Sequence, residues 1–236
     1  MERVVFVHGS VGNGDAAWVE QRPLADEFEL HVLNRPGFPP GPLVDHVDFE
    51  EQGKWVAERL QPGDHLCGVS YGGLVSLFAA ARATNLGSLT VIEPPAFALA
   101  EDRPDVAALV ERLKHLWSNG PSEPRAFLLA FRAEVGGNTV EFPDPLPLQL
   151  YQGAQILMVE RGPWEAQPPL EALHDADYPK LVISGGWSAA FNAVCDVLED
   201  QLGAERAVIP GRGHTPQFLG QPFNDILRDF IHRAST

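Results

Sequence analysis

Six short stretches rich in apolar and β-branched residues recur along the chain, each followed by turn-forming or polar residues. They are RVVFV at 3–7, ELHVL at 29–33, HLCGV at 65–69, SLTVI at 88–92, KLVIS at 180–184 and ERAVI at 205–209. Runs of this length and bounding predict β-strands. Between them the apolar positions fall at helical spacing. FEEQGKWVAERL at 49–60 puts Phe49, Gly53, Val56, Ala57 and Leu60 on one side and ends at QPGD, which predicts an amphipathic helix with a glycine stop. Further helices are expected from the glycine-flanked serine to about residue 83, over about 190–202, and in FNDILRDFIHRA. After the first strand the chain is expected to be loosely helical. Asp15 stands where it could cap that segment, Trp18, Val19, Leu24 and Phe28 give it an apolar side, and Pro23 breaks it early.

Strand–helix–strand alternation with short connections predicts the α/β class: a mostly parallel sheet with helices on both faces. Residues 96–176 lose this rhythm. There EDRPDVAALVERLKHLW, EPRAFLLAFRAEV and FPDPLPLQLYQ predict a mainly helical insertion between two strands. The expected organisation is one domain over 1–236, with a core of 1–95 and 177–236 and a cap insertion of about 96–176. Insertions at the carboxyl ends of strands cover the crevice in which such folds bind ligands.

Composition narrows the partners. The chain is 44% hydrophobic and 21% charged, with no run of eighteen apolar residues, so no membrane span is expected. Seventeen basic against 32 acidic residues give a net charge of −15. That balance repels phosphate backbones, no basic patch overrides it, and nucleic acid is not an expected partner. Cys67 and Cys195 are too far apart in the chain for a disulfide framework or metal knuckle and read as core residues. MERVVFVHGS has neither a basic leader nor a cleavage site, which predicts a cytoplasmic protein. No metal is expected, because Glu50, Glu51, Asp175 and Asp177 have no further ligand at metal spacing. GSVGNG lacks the dinucleotide-binding spacing, and the next strand ends at Asn34 rather than at an acid. No cofactor is expected; the partner is a small-molecule substrate, with a homodimer left open.

The chemistry centres on LCGVSYGG, where Gly68, Ser70 and Gly72 alternate as a strand gives way to a helix. Small residues on both sides let a strained backbone present one hydroxyl, and the N–H of Tyr71 lies at a helix N-terminus where it can stabilise an oxyanion. Two more features follow in the order a serine hydrolase needs. VIPGRGHTPQF places His214 in a glycine-flanked loop after the last strand, as general base. HGSVGNG follows the first strand and offers Ser10 or Val11 as the second oxyanion donor, with His8 holding the loop.

With VFVHGSVGNGDAAW, LNRPGF, LCGVSYGG and VIPGRGHTPQF in this order, the chain resembles the α/β-hydrolase superfamily. The resemblance implies acyl transfer or hydrolysis without a cofactor, and a sheet lacking the family's first one or two antiparallel strands. It leaves the substrate open. One loop departs from the pattern. Where the family usually carries the triad acid, this chain reads ISGGWSAAFNAVCD, with Ser188 and Asn192 near the expected site. Glu93, in TVIEPPAF at the end of the strand after the elbow helix, is the first substitute and Asp196 the second. The expected function is hydrolysis of a small, partly apolar ester, lactone or thioester, with Trp117, Phe131 and Trp164 lining the substrate site. The rival is a ligand-binding or signalling protein on the same scaffold with hydrolysis weak or lost.

Overall fold

Every one of the six apolar runs is a strand in the computed structural model, which describes residues 1–136 and 142–235. The strands are β1 (Arg3–Val7), β2 (Glu29–Leu33), β3 (His65–Val69), β4 (Ser88–Ile92), β5 (Lys180–Ser184) and β6 (Glu205–Val208). They form one sheet in the order β2-β1-β3-β4-β5-β6, and every neighbouring pair is parallel. Among the described residues no antiparallel strand joins it. β3, β4 and β5 are buried throughout, whereas β2 at one edge and β6 at the other are partly exposed. That gradient explains why the inner runs are continuously apolar and the outer ones mixed.

The helices are α1 (Gly14–Ala17), α2 (Phe49–Ala57), α3 (Tyr71–Ala80), α4 (Pro104–Asn119), α5 (Pro124–Val135), α6 (Leu148–Leu157), α7 (Leu170–His174), α8 (Ala189–Leu202) and α9 (Gln221–Ala234). Because side chains alternate across a strand, Val5 and Val7 of β1 join a core with α2, α3 and α8. Val4 and Phe6 join Trp18, Leu24, Phe28 and the α9 residues Phe223, Leu227, Phe230 and Ile231 on the other face. Between β4 and β5 the described chain is mainly helical, and Leu116, Phe127, Leu128, Leu146, Ala154 and Leu157 of that region form a small apolar cluster of their own. Among the described residues no helix is long and apolar enough to cross a membrane.

Local details differ from the sequence pattern. Asn13, not Asp15, caps α1, its side chain accepting from the N–H of Ala16. Asp15 is already the second residue of α1, inside the helix and not at its cap, and only adds charge to the first turn. The segment Val19–Asp26 is a 3-10 helix that contains Pro23, and Val19 faces solvent. α2 stops at Ala57 rather than at residue 60, because the last residues tighten into i→i−3 turns, Arg59 N–H to the Val56 carbonyl and Leu60 N–H to the Ala57 carbonyl.

The chain steps from β1 outward to β2, then crosses back to β3 on the far side of β1. Loops leaving β1 and β3 therefore diverge at their carboxyl ends and open a crevice there.

Candidate active site

Ser70 stands between β3 and α3 with φ 55° and ψ −129°. A Cβ on Gly72 would land on the His8 carbonyl, and one on Gly68 would meet the Ser76 side chain and the Gly72 carbonyl. Only glycine at both places lets β3 turn into α3 this tightly. The Ser70 N–H donates to the Ile92 carbonyl at 2.7 Å, pinning the turn to β4. The hydroxyl faces the loop after β6, where His214 Nε2 lies 2.8 Å from Ser70 Oγ. Glu93 follows β4 and is fully buried, with Oε2 3.1 Å from His214 Nδ1. A carboxylate accepts only, so His214 carries its proton on Nδ1 and turns a free Nε2 lone pair to the serine hydroxyl.

The loop that lacks a carboxylate supplies donors instead. The Gly185 N–H donates to Glu93 Oε1 at 2.6 Å and the Trp187 indole N–H to Oε2 at 3.0 Å. Three donors thus converge on one buried carboxylate, the arrangement that keeps such a charge tolerable. Phe191 packs against the His214 ring with centroids 4.5 Å apart. Ser188 caps α8, accepting from the Phe191 N–H. Asp196, the other candidate acid, lies on the exposed side of α8, 3.6 Å from Arg206 in an ion pair.

Among the described residues three non-glycine positions have positive φ, namely Val11 (74°), Ser70 (55°) and Glu93 (48°); Val11 and Ser70 line this crevice and Glu93 lies buried beside His214. For a β-branched valine this conformation is a steric outlier, and such strain gathers where surrounding structure holds it in place. What holds Val11 is legible: the backbone of α6 comes so close at Gly153 that a Cβ there would strike the Val11 carbonyl. The Tyr71 N–H opens α3 and is one of that helix's spare donors. Ser10 and Val11 line the crevice opposite it.

His8 sits beneath this loop. Its Nε2 accepts the Arg35 N–H at 3.0 Å and its Nδ1 proton goes to the Gly9 carbonyl at 2.7 Å. Burial, reinforced by the Arg35 charge, holds its pKa well below the ordinary histidine range, so it is a neutral strut. Arg35 is wholly buried and binds the Gly9 carbonyl at 2.9 Å, Gln52 Oε1 at 2.6 Å and Glu160 Oε1 at 3.0 Å. The Ser10 hydroxyl donates to the other Glu160 oxygen at 2.5 Å. Burial pushes the Glu160 carboxyl up and the Arg35 guanidinium down, while each counteracts the shift of the other. Sequence reasoning missed this network. An arginine inside the Pro/Gly loop NRPGF was the available signal for Arg35; Glu160 gives none, since its partners lie 125 and 150 residues away.

Space around Ser70 divides in two. A narrow slot of about 20 Å³ is walled by Phe97, Leu113, Trp117, Phe131 and Phe191 beside Glu160. A wide cleft of about 480 Å³ runs past Ser10, Val11 and His214 on the other side. Trp117 and Phe131 line the slot. Trp164 does not line the slot: it packs edge-on against Trp117 with centroids 5.6 Å apart, supporting that ring from behind. Among the described residues no group of three or more His, Cys, Asp or Glu side chains is gathered to hold a metal ion.

A family model described as the alpha/beta hydrolase family matches residues 4–226. The pimeloyl-[acyl-carrier protein] methyl ester esterase of Aeromonas hydrophila is 36% identical over 114 residues, 45% of this chain and 44% of that protein. Its counterpart in Aeromonas salmonicida is 36% identical over 115 residues, with the same coverage. The match thus spans under half the length of these curated relatives. Among solved structures, a thermophilic esterase from Thermogutta terrifontis superposes with a TM-score of 0.68 at 20% identity, covering 100% of this chain and 91% of that one. MenH from S. aureus gives a TM-score of 0.70 at 14% identity over 100% and 95% of the two chains. At such identities these two likenesses speak for the fold alone.

Proposed function

Because the chain belongs to the α/β-hydrolase family, we propose that it is a cofactor-independent serine esterase acting through an acyl-enzyme, with Ser70 as nucleophile, His214 as base and Glu93 as the orienting acid. The observation that carries this is the unbroken relay from Ser70 Oγ to His214 Nε2 at 2.8 Å and from His214 Nδ1 to Glu93 at 3.1 Å. The curated relatives, named as esterases, support the same reaction class. Ser70 Oγ attacks the ester carbonyl as its proton passes to His214 Nε2, and the oxyanion is held by the N–H groups of Tyr71 and of Ser10 or Val11. His214 returns the proton to the leaving alcohol. It then takes one from water, which cleaves the acyl-serine and regenerates the hydroxyl. Glu93 keeps the imidazole in the right tautomer and steadies its protonated form without itself taking the proton.

The helices over 96–176 act as a cap, with Trp117 and Phe131 covering the bound ester; the same apparatus would open a lactone or thioester. The rival of a binding protein with lost hydrolysis drew on the acid-free loop after β5. Glu93, at His214 Nδ1, offers the acid that loop lacks, which supports the hydrolase reading over the rival. The test is labelling by a fluorophosphonate together with turnover of p-nitrophenyl esters of increasing chain length. Wild type is expected to label and turn over, whereas Ser70→Ala should lose labelling and at least ~10³-fold in rate. A folded wild-type protein that resists the label would overturn the proposal.

A further inference from the structure

Cleavage at Ser70 divides a substrate between two unequal spaces. The slot, at about 20 Å³, admits roughly one water-sized group. Its carboxylate, Glu160, is already taken up by Arg35 and Ser10. The wide cleft is different in charge as well as size. Among the described residues that line it there is no Asp or Glu, but there are two arginines, Arg132 and Arg212, in a chain with 32 acidic and 17 basic residues. The local sign is therefore opposite to that of the whole molecule.

Arg132, on α5, is half-buried. Among the described residues its Nε, shut off from solvent, has no hydrogen-bond partner, and burial lowers the guanidinium pKa. The guanidinium has given up part of its hydration without gaining a counter-ion among the described residues, and an anion in the cleft would pair with the part of it that stays exposed. Arg212 stands at the exposed side of the cleft, two residues before His214. It can meet the same anion from the mouth.

We propose that the substrate is an asymmetric anionic ester: a group about the size of methyl fills the slot, and the larger part carries a carboxylate or phosphate that Arg132 and Arg212 bind in the wide cleft. A planar guanidinium recognises either oxyanion through two parallel hydrogen bonds. This specificity rests on Ser70 being the nucleophile proposed above.

The experiment compares kcat/KM for two matched pairs. Monomethyl glutarate is set against methyl pentanoate, and 2-acetoxyethyl phosphate against butyl acetate. At least one charged ester should be preferred by about tenfold or more, chiefly through KM, and the pair that shows it identifies carboxylate or phosphate. In Arg132→Gln/Arg212→Gln that preference should fall to within about twofold, while Arg132→Lys keeps much of it because the charge remains. Should Arg132→Gln fail to fold, Arg212→Gln alone, a surface change, is expected to reduce the same ratio. Preference for neither anion, or a preference indifferent to both arginines, in a protein whose Ser70 labels with fluorophosphonate would overturn the inference and leave the esterase proposal standing. Absence of labelling in the folded protein would sink both.

Discussion

Glu93 holds φ at 48° directly before Pro94, a combination that bulky side chains avoid. The twisted backbone turns its carboxylate under the next loop, where Gly185, Trp187 and His214 meet it. At this scale the decisive comparison is between two acids. Glu93→Gln should lower kcat for a p-nitrophenyl ester by about 10³–10⁴, the order expected when an imidazole loses its orienting charge. Asp196→Ala, which removes only an exposed partner of Arg206, should leave the rate within about twofold, as surface ion pairs contribute little. The opposite ranking in the same assay would transfer the acid role to Asp196.

Elements are tied together by two charged knots. In the first, Arg35 and Glu160 join the loop after β2, the loop after β1 and the chain beyond α6. Removing one partner strands the other charge in a dry site, so Glu160→Ala should cost about 3–5 kcal/mol of stability, measured by chemical denaturation. A loss below about 1 kcal/mol would mean that water replaces the carboxylate. In the second knot, Asp48 caps α2 through the N–H groups of Glu50 and Glu51 and pairs with Arg161 at 3.0 Å. Partial burial pushes the Asp48 carboxyl up, but the bonds from Glu51, Arg161 and Glu50 outweigh it and hold the pKa below the usual carboxylate value. A depressed folded-state pKa stabilises above the unfolded value and ceases to do so as pH falls through the folded one. The stability gap between wild type and Asp48→Asn should therefore shrink below about pH 4. A gap that is constant down to acid unfolding would remove the ionised cap as its cause.

For the whole molecule the governing quantity is the net charge of −15. Self-repulsion of that size opposes compaction and is screened over about 10 Å at 0.1 M salt. The melting temperature should rise by a few degrees, on the order of 2–5 °C, from very low salt to about 0.3 M sodium chloride. A fall would show that surface ion pairs such as Arg161 with Asp48, Glu50 and Glu165 outweigh the excess charge. The same excess makes the cleft around Arg132 and Arg212, whose described lining residues include no Asp or Glu, a local exception.

Much of this was open to reading in the chain because it is local. Apolar runs of five residues bounded by turns define the strands, since each buries its own side chains on both faces of the sheet. Gly68, Ser70 and Gly72 define the elbow, since the steric demand acts within a few residues. His214 was proposed from its loop and Glu93 from its strand end. What stayed hidden was any role created by distance. Glu160 reaches Ser10 across 150 residues, Val11 is held in an unfavourable conformation by the backbone at Gly153, and Trp164 stands behind Trp117 instead of facing the slot. Sequence alone determined the strands, the turning serine and the order of its partners, because those depend on short-range sterics and on burial periodicity. Which carboxylate meets His214, and which arginines come to line the cleft, only tertiary structure decided, because charge pairing falls off with distance in space and takes no account of distance along the chain.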